Sequence, residues 1–204
     1  LVSAGAEAIA VVGGDEVRAH CGDRVDRFIP ESPSGFLNVK NAIEAWDGER
    51  VLYLTSDLPF VDGHGLREFL ARAGDAVVAI PLASAQAYEQ RFPDAPPHVM
   101  RLGTRRFASG SVFVLDPPSL EPIWPIVRGL FEGRKNALAM ASMLGTGLLV
   151  RYVLRRLEVD HVERRAAKVL RGPARAVWDA DPGLAYDVDT LEEWEYSVRA
   201  LEHA

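Results

Sequence analysis

The stretch Val51-Leu52-Tyr53-Leu54-Thr55-Ser56-Asp57-Leu58-Pro59-Phe60-Val61-Asp62 decides how this chain is read. Its apolar start predicts a buried strand that stops at a carboxylate, and Pro59 biases Leu58 toward an extended conformation that turns the chain off the sheet. In an open α/β sheet, ligands bind in the crevice beyond the carboxyl ends of the strands, so Asp57 faces a site. An aspartate after a strand also serves as a turn former or helix N-cap. Asp62, just ahead of Gly63 and the apolar Leu66, Phe69 and Leu70, suits that duty better, which leaves Asp57 without a structural one.

Working outward, Ala8 to Val12 reads as a buried strand closed by Gly13-Gly14, and Val25 to Ile29 as a second strand. Val39, Ala42, Ile43 and Trp46 have the spacing of a half-buried helix face over 38–46, with Asn38 opening that helix. A helix over 63–73 follows Asp57, and Ala76 to Ile80 is the next strand. Strands and helices thus alternate from residue 8 to 80, which predicts a three-layer α/β fold with a Rossmann-like, mixed but mostly parallel sheet flanked by helices. Beyond that, His98 to Leu102 and Ser111 to Leu115 read as strands joined through Gly103-Thr104, with Gly110 a bulge or close-approach position. Residues 119–172 read as successive helices, including Leu120 to Phe131 and His161 to Leu170. A strand over 174–178 and a helix from about Leu191 complete one domain spanning residues 1–204. The last helix starts with a capping box, Thr190 with Glu193 or alternatively Asp189 with Glu192, and carries an apolar stripe at Leu191, Trp194, Val198 and Leu201.

A length of 204 residues with 48% hydrophobic content suffices for one substantial core. The net charge of −6 argues against a nonspecific nucleic-acid binder, while leaving a nucleotide as a small-molecule ligand. The single Cys21 excludes an intrachain disulfide and any cysteine-cluster metal site, and reads as a buried, unreactive thiol. No apolar run approaches a membrane span and no signal peptide opens the sequence, so the expectation is a cytoplasmic protein with no membrane partner. A homodimer is the commonest assembly for such a chain.

Tyr186-Asp187-Val188-Asp189-Thr190 places two aspartates on one side of a short strand just before a helix. Side-by-side carboxylates need a cation, a cap or solvent, so either a metal or the capping role of Asp189 accounts for them. Mg²⁺ takes one or two carboxylates together with water and substrate phosphates, a demand that Asp57 with Asp189 or Asp187 meets if both segments reach one sheet rim. The five histidines are scattered, without metal-ligand spacing. Arg164, Arg165 and Lys168 read either as a solvated helix face or as phosphate contacts, and Met140 and Met143 as core filler.

Three segments in this order resemble the nucleotidyltransferases of the A-type glycosyltransferase fold, especially the molybdenum-cofactor guanylyltransferase-like branch. They are Leu54-Thr55-Ser56-Asp57-Leu58-Pro59, Ala108-Ser109-Gly110-Ser111-Val112-Phe113-Val114, and Tyr186-Asp187-Val188-Asp189-Thr190-Leu191-Glu192-Glu193. The resemblance implies that Asp57 holds the Mg²⁺ bridging the nucleotide phosphates, that Asp189 and then Asp187 supply a second ligand, and that Gly110 lies on the acceptor-side strand. It also implies that Pro33-Ser34-Gly35-Phe36-Leu37-Asn38 contacts the nucleoside, with Ser34, Gly35 and Asn38 as the binding residues. The partners would be a nucleoside triphosphate and a phosphorylated small-molecule acceptor. The family's first strand and glycine-rich phosphate loop have no counterpart in this sequence, so the resemblance leads to the expectation that they lie upstream of Leu1. Two other expectations compete: a noncatalytic nucleotide-binding module of the same fold, favoured by that missing loop, and a nucleotide-sugar glycosyltransferase, for which residues 57–59 lack the Asp-x-Asp pairing.

Overall fold

The computed structural model of the chain describes residues 1–46, 50–133 and 145–202. The expected positions of Met140 and Met143 lie outside the described residues. Eight strands are described, in chain order β1 (Ala10–Gly13), β2 (Arg27–Pro30), β3 (Val51–Leu54), β4 (Val78–Ser84), β5 (Met100–Leu102), β6 (Arg105–Ala108), β7 (Val112–Leu115) and β8 (Ala174–Trp178). The helices are α1 (Asp15–Cys21), α2 (Gly35–Glu44), α3 (Gly63–Ala73), α4 (Ala85–Arg91), the single turn α5 (Pro117–Leu120), α6 (Trp124–Gly133), α7 (Thr146–Val153), α8 (Val159–Leu170) and α9 (Leu191–Glu202). The fold is mixed α/β.

The expected mostly parallel sheet is not what forms. β1 and β2 pair in parallel as a separate two-stranded sheet. In the six-stranded main sheet, β7 lies between β3 and β4 and is antiparallel to both, β6 pairs antiparallel with β4 and β5, and only the β4–β8 pairing is parallel. The physical reason is that a βαβ alternation fixes direction, not adjacency. β3 and β4 do run the same way across α3, but the later strand β7 inserts itself between them.

Alternation along β3 and β7 makes three layers in this sheet. Leu52, Leu54, Val112 and Val114 face α3, whose Leu66, Phe69 and Ala73 are at most 1% exposed. Tyr53, Phe113 and Leu115 face the other way, against Phe36 and Ile43 of α2 and Trp124 of α6. Full burial of a side chain of the size of Leu or Phe contributes about 1.5–3 kcal/mol, so α3 and α2 clamp the sheet from opposite sides.

Other expectations shift for local reasons. β4 continues through Pro81 to Ser84, because Pro81 falls between the end of the β7 pairing at Ala79 and the start of the β6 pairing at Ala83. Gly103-Thr104 turns β5 into β6, a strand not anticipated, rather than into β7. Pro122 and Pro125 break the helix expected over 120–131 into α5, a short 3-10 turn and α6. β1 is half-buried rather than buried, and Cys21 is partly exposed. Asn38 does not open α2; Ser34 is its N-cap, accepting from the Leu37 N–H.

Candidate functional site

Asp57 lies three residues past the end of β3, half-buried, after Thr55 N–H has made one more bond across to the Ser111 carbonyl (3.2 Å). The Thr55 hydroxyl donates to Asp57 Oδ1. Asp62 caps α3 as expected, accepting from the Gly65 N–H at 2.8 Å. The turn from 57 to 62 is therefore held at both ends, with Asp57 at its start.

The terminal acidic segment is laid directly on that turn. Val188 N–H donates to the Asp57 carbonyl at 3.0 Å, so Asp57 and the flanking Asp187 and Asp189 share one rim although about 130 residues separate them in sequence. Glycines make the approach. A Cβ on Gly110 would collide with the Leu184 carbonyl and sit 3.0 Å from Ala185 Cα, and one on Gly183 would collide with the Phe60 carbonyl. A Cβ on Gly65 would meet Asp181 Cβ at 2.9 Å. Gly110 is thus a close-approach position, as its sequence context suggested, and the three segments singled out in the sequence pack together. Residues 186–189 form an extended connection rather than a paired strand.

The two aspartates of that connection differ. Asp187 is pulled inward, its Oδ1 3.0 Å from His98 Nε2, with side chains of 14% and 17% exposure. That approach is close but poorly directed, so Asp187 Oδ1 gains an ion-pair neighbour without a proper hydrogen bond. The Asp187 contact holds the His98 imidazole protonated above its ordinary range, against the opposing effect of burial. Asp189 is exposed, and its backbone N–H is bound by Glu193 Oε2 at 2.8 Å. Glu193 also accepts from Thr190 N–H, while Thr190 Oγ1 accepts from Glu193 N–H, so the capping box forms in the Thr190 register.

An aromatic cluster underlies the rim. Tyr186 packs edge-on to Phe60 at 4.9 Å and its hydroxyl donates to the Glu193 carbonyl. Burial, with Glu193 nearby, pushes the Tyr186 phenol up to about 12. Tyr88 stacks on His98 at 5.8 Å, and its own phenol is held well above the usual range chiefly by burial. His98, Tyr88 and Glu193 were not singled out from the sequence as site residues. Only the i, i+3 relation of Thr190 and Glu193 carried a local signal, and nothing in the chain order links position 98 to 187.

The segment expected to contact a nucleoside is occupied internally. Asn38 Oδ1 accepts from Ser32 N–H at 2.7 Å while its amide donates to the Ser32 carbonyl, pinning the loop before α2. A Cβ on Gly35 would sit 3.2 Å from the Phe131 ring, so the close neighbour of that glycine is an aromatic side chain of α6. Among the described residues, no group of three or more His, Cys, Asp and Glu is arranged to hold a metal ion. A hard cation at Asp57 and Asp189 would need phosphate oxygens and water for its remaining ligands. No described helix is long and apolar enough to cross a membrane.

No family model matches the chain, and no curated protein matches it. Among solved structures, it is similar to a protein from Thermus thermophilus described as a hypothetical transferase, with 30% sequence identity and a TM-score of 0.80. The match covers 95% of this chain and 81% of that one. Likeness at that identity over nearly the whole length extends beyond shared architecture, and the chain belongs to the same family as this Thermus thermophilus protein.

Proposed function

We propose that the protein is a transferase of the nucleotidyl class, moving a nucleoside monophosphate from a nucleoside triphosphate to a phosphorylated small molecule. The transferase description of the Thermus thermophilus relative supports the coarser half of this reading. The observation that carries the finer half is the Val188 N–H to Asp57 carbonyl bond, which sets two carboxylate-bearing segments at the carboxyl end of β3.

In this reading Asp57 and Asp189 would hold Mg²⁺, with Asp187 turned away toward His98. When bound, the cation neutralises charge on the phosphates and orients them. The rest falls to the chain. Thr55 fixes one oxygen of Asp57 and so its direction, and the capping box fixes the backbone of 189–190. An acceptor phosphate oxygen attacks the α-phosphorus, the bond to the bridging oxygen breaks, and pyrophosphate leaves; no protein nucleophile is needed. The loop from Ser34 to Asn38 is the proposed nucleoside contact, through its backbone, since the Ser34 and Asn38 side chains are engaged within the loop.

The test is pyrophosphate release from each of the common nucleoside triphosphates, with a panel of sugar phosphates and other phosphate monoesters as acceptors, with and without Mg²⁺. One donor and acceptor pair should release pyrophosphate only with the metal, and Asp57→Asn should lower the rate at least about 100-fold. Unchanged release in Asp57→Asn would overturn the assignment, and Mg²⁺-dependent nucleotide binding without turnover in any pair would reassign the chain as a noncatalytic nucleotide-binding module.

A further inference from the structure

A second concentration of charge lies away from the aspartate rim. Residues 145–171 carry seven basic and three acidic side chains, in a chain whose net charge is −6. Two of those three carboxylates are engaged elsewhere: Glu158 accepts from Thr104 N–H in the β5–β6 turn, and Glu163 accepts from Ala176 N–H of β8 at 2.6 Å. Four cations, Arg151 of α7 and Arg164, Arg165 and Lys168 of α8, line a cavity of about 450 Å³ together with His161 and the Gly145-Thr146-Gly147 entry to α7.

The cavity has the composition of a receptor for negative charge. His161, Arg164, Arg165 and Lys168 fall at i, i+3, i+4 and i+7, one face of α8, while Glu163 ties that helix back to β8. Arg151 comes from the neighbouring helix, so the cations flank an open groove from two helices rather than line a single ridge. Among the described residues, no carboxylate lies within 4 Å of Arg151, Arg164 or Lys168. Like charges gathered on one exposed face repel, and a bound anion relieves that repulsion more fully than solvent does. His161 Nδ1 accepts the Glu158 N–H, so Nε2 is the ring nitrogen left to donate. Gly145 provides no side-chain cap for α7, and a Cβ on Gly147 would meet nothing within 4 Å, so there is open space beside the first turn of that helix.

We propose that this cavity between α7 and α8 binds a small molecule carrying two or more phosphate groups. Its volume falls in the range of small-ligand sites, and the forked guanidinium groups match phosphate oxygens. The cavity shares no residue with the Asp57 rim, so the proposal does not depend on the transferase reading.

The test is calorimetric titration of the full chain with inorganic pyrophosphate and tripolyphosphate, in Mg²⁺-free buffer and on the Asp57→Asn background, so that the aspartate rim contributes nothing. One saturable site is expected. Arg164→Gln and Lys168→Gln, both at exposed positions compatible with a helix, should each weaken it about tenfold, the loss expected for one charge-assisted bond. Arg128→Gln, which removes an exposed pair with Glu132 on α6, should leave it unchanged. Absence of saturable binding, equal binding in the Arg164→Gln/Lys168→Gln double variant, or tighter binding of anionic vesicles or duplex RNA than of either polyphosphate would overturn the proposal.

Discussion

Helices α3 and α9 look alike in sequence and sit oppositely in the fold. Each follows a side-chain N-cap and carries an apolar stripe at helical spacing. α3 turns that stripe inward, leaving Leu66 and Phe69 1% exposed. α9 turns its stripe outward, with Leu191 72% and Trp194 58% exposed, and buries Glu193 and Ser197 instead. Periodicity announces a helix; what the helix must hold decides which side faces in. Glu193 accepts from two backbone N–H groups and a hydroxyl, Tyr186 donates to its carbonyl, and Tyr196 donates to the Pro93 carbonyl. That polar network clamps the acidic segment against Asp57 and fixes the rotation of the helix.

The contrast is breakable. Phe69→Ala should cost about 3–5 kcal/mol, measured by urea unfolding, because the sheet clamped on both faces collapses poorly around the void. A loss below ~1 kcal/mol would mean that α3 is not the anchor its burial implies. Glu193→Ala should cost about 1–2 kcal/mol, less than Phe69→Ala but more than any change to the stripe, since it removes the carboxylate that caps the first turn of α9. Stability equal to the parent would show that the cap network does not orient α9.

A smaller, pH-confined effect belongs to His98. Its folded-state pKa is raised by Asp187, so its contribution is complete below the ordinary histidine range and fades as pH rises through the folded value. Asp187→Asn should therefore lower stability at mildly acidic pH and flatten the stability-against-pH curve above it. An unchanged curve, or an NMR titration placing His98 at or below the ordinary value, would contradict the pair. At the small end, Trp194→Ala should shift stability by no more than about 0.5 kcal/mol, as for other exposed positions. A large loss would reveal that the stripe is covered in solution.

Local chemistry made much of this legible. The strand into Asp57, the Asp62 cap and the Thr190–Glu193 box each depend on a few neighbouring residues, and each forms where its sequence implies, although β3 is half-buried rather than buried. Strand neighbours do not, because insertion of β7 between β3 and β4 is decided by packing far along the chain. The same holds for His98 and Asp187, which meet only through tertiary folding. Asn38 failed as a helix opener because its side chain closes the Ser32 loop, a competition between local bonds that spacing cannot rank. The cationic face of α8 was visible as a pattern, but the addition of Arg151 from α7 was not.

The most direct measurement is a thermal-shift series with GTP, CTP, UTP and ATP, each with and without Mg²⁺, on the parent and on Asp57→Asn. At about 100 times the dissociation constant a ligand adds about 2.7 kcal/mol of stability, an easily resolved rise in Tm. The account predicts a rise with one nucleotide that requires Mg²⁺ and disappears in Asp57→Asn. A rise indifferent to both the metal and Asp57, or none with any nucleotide, would contradict it.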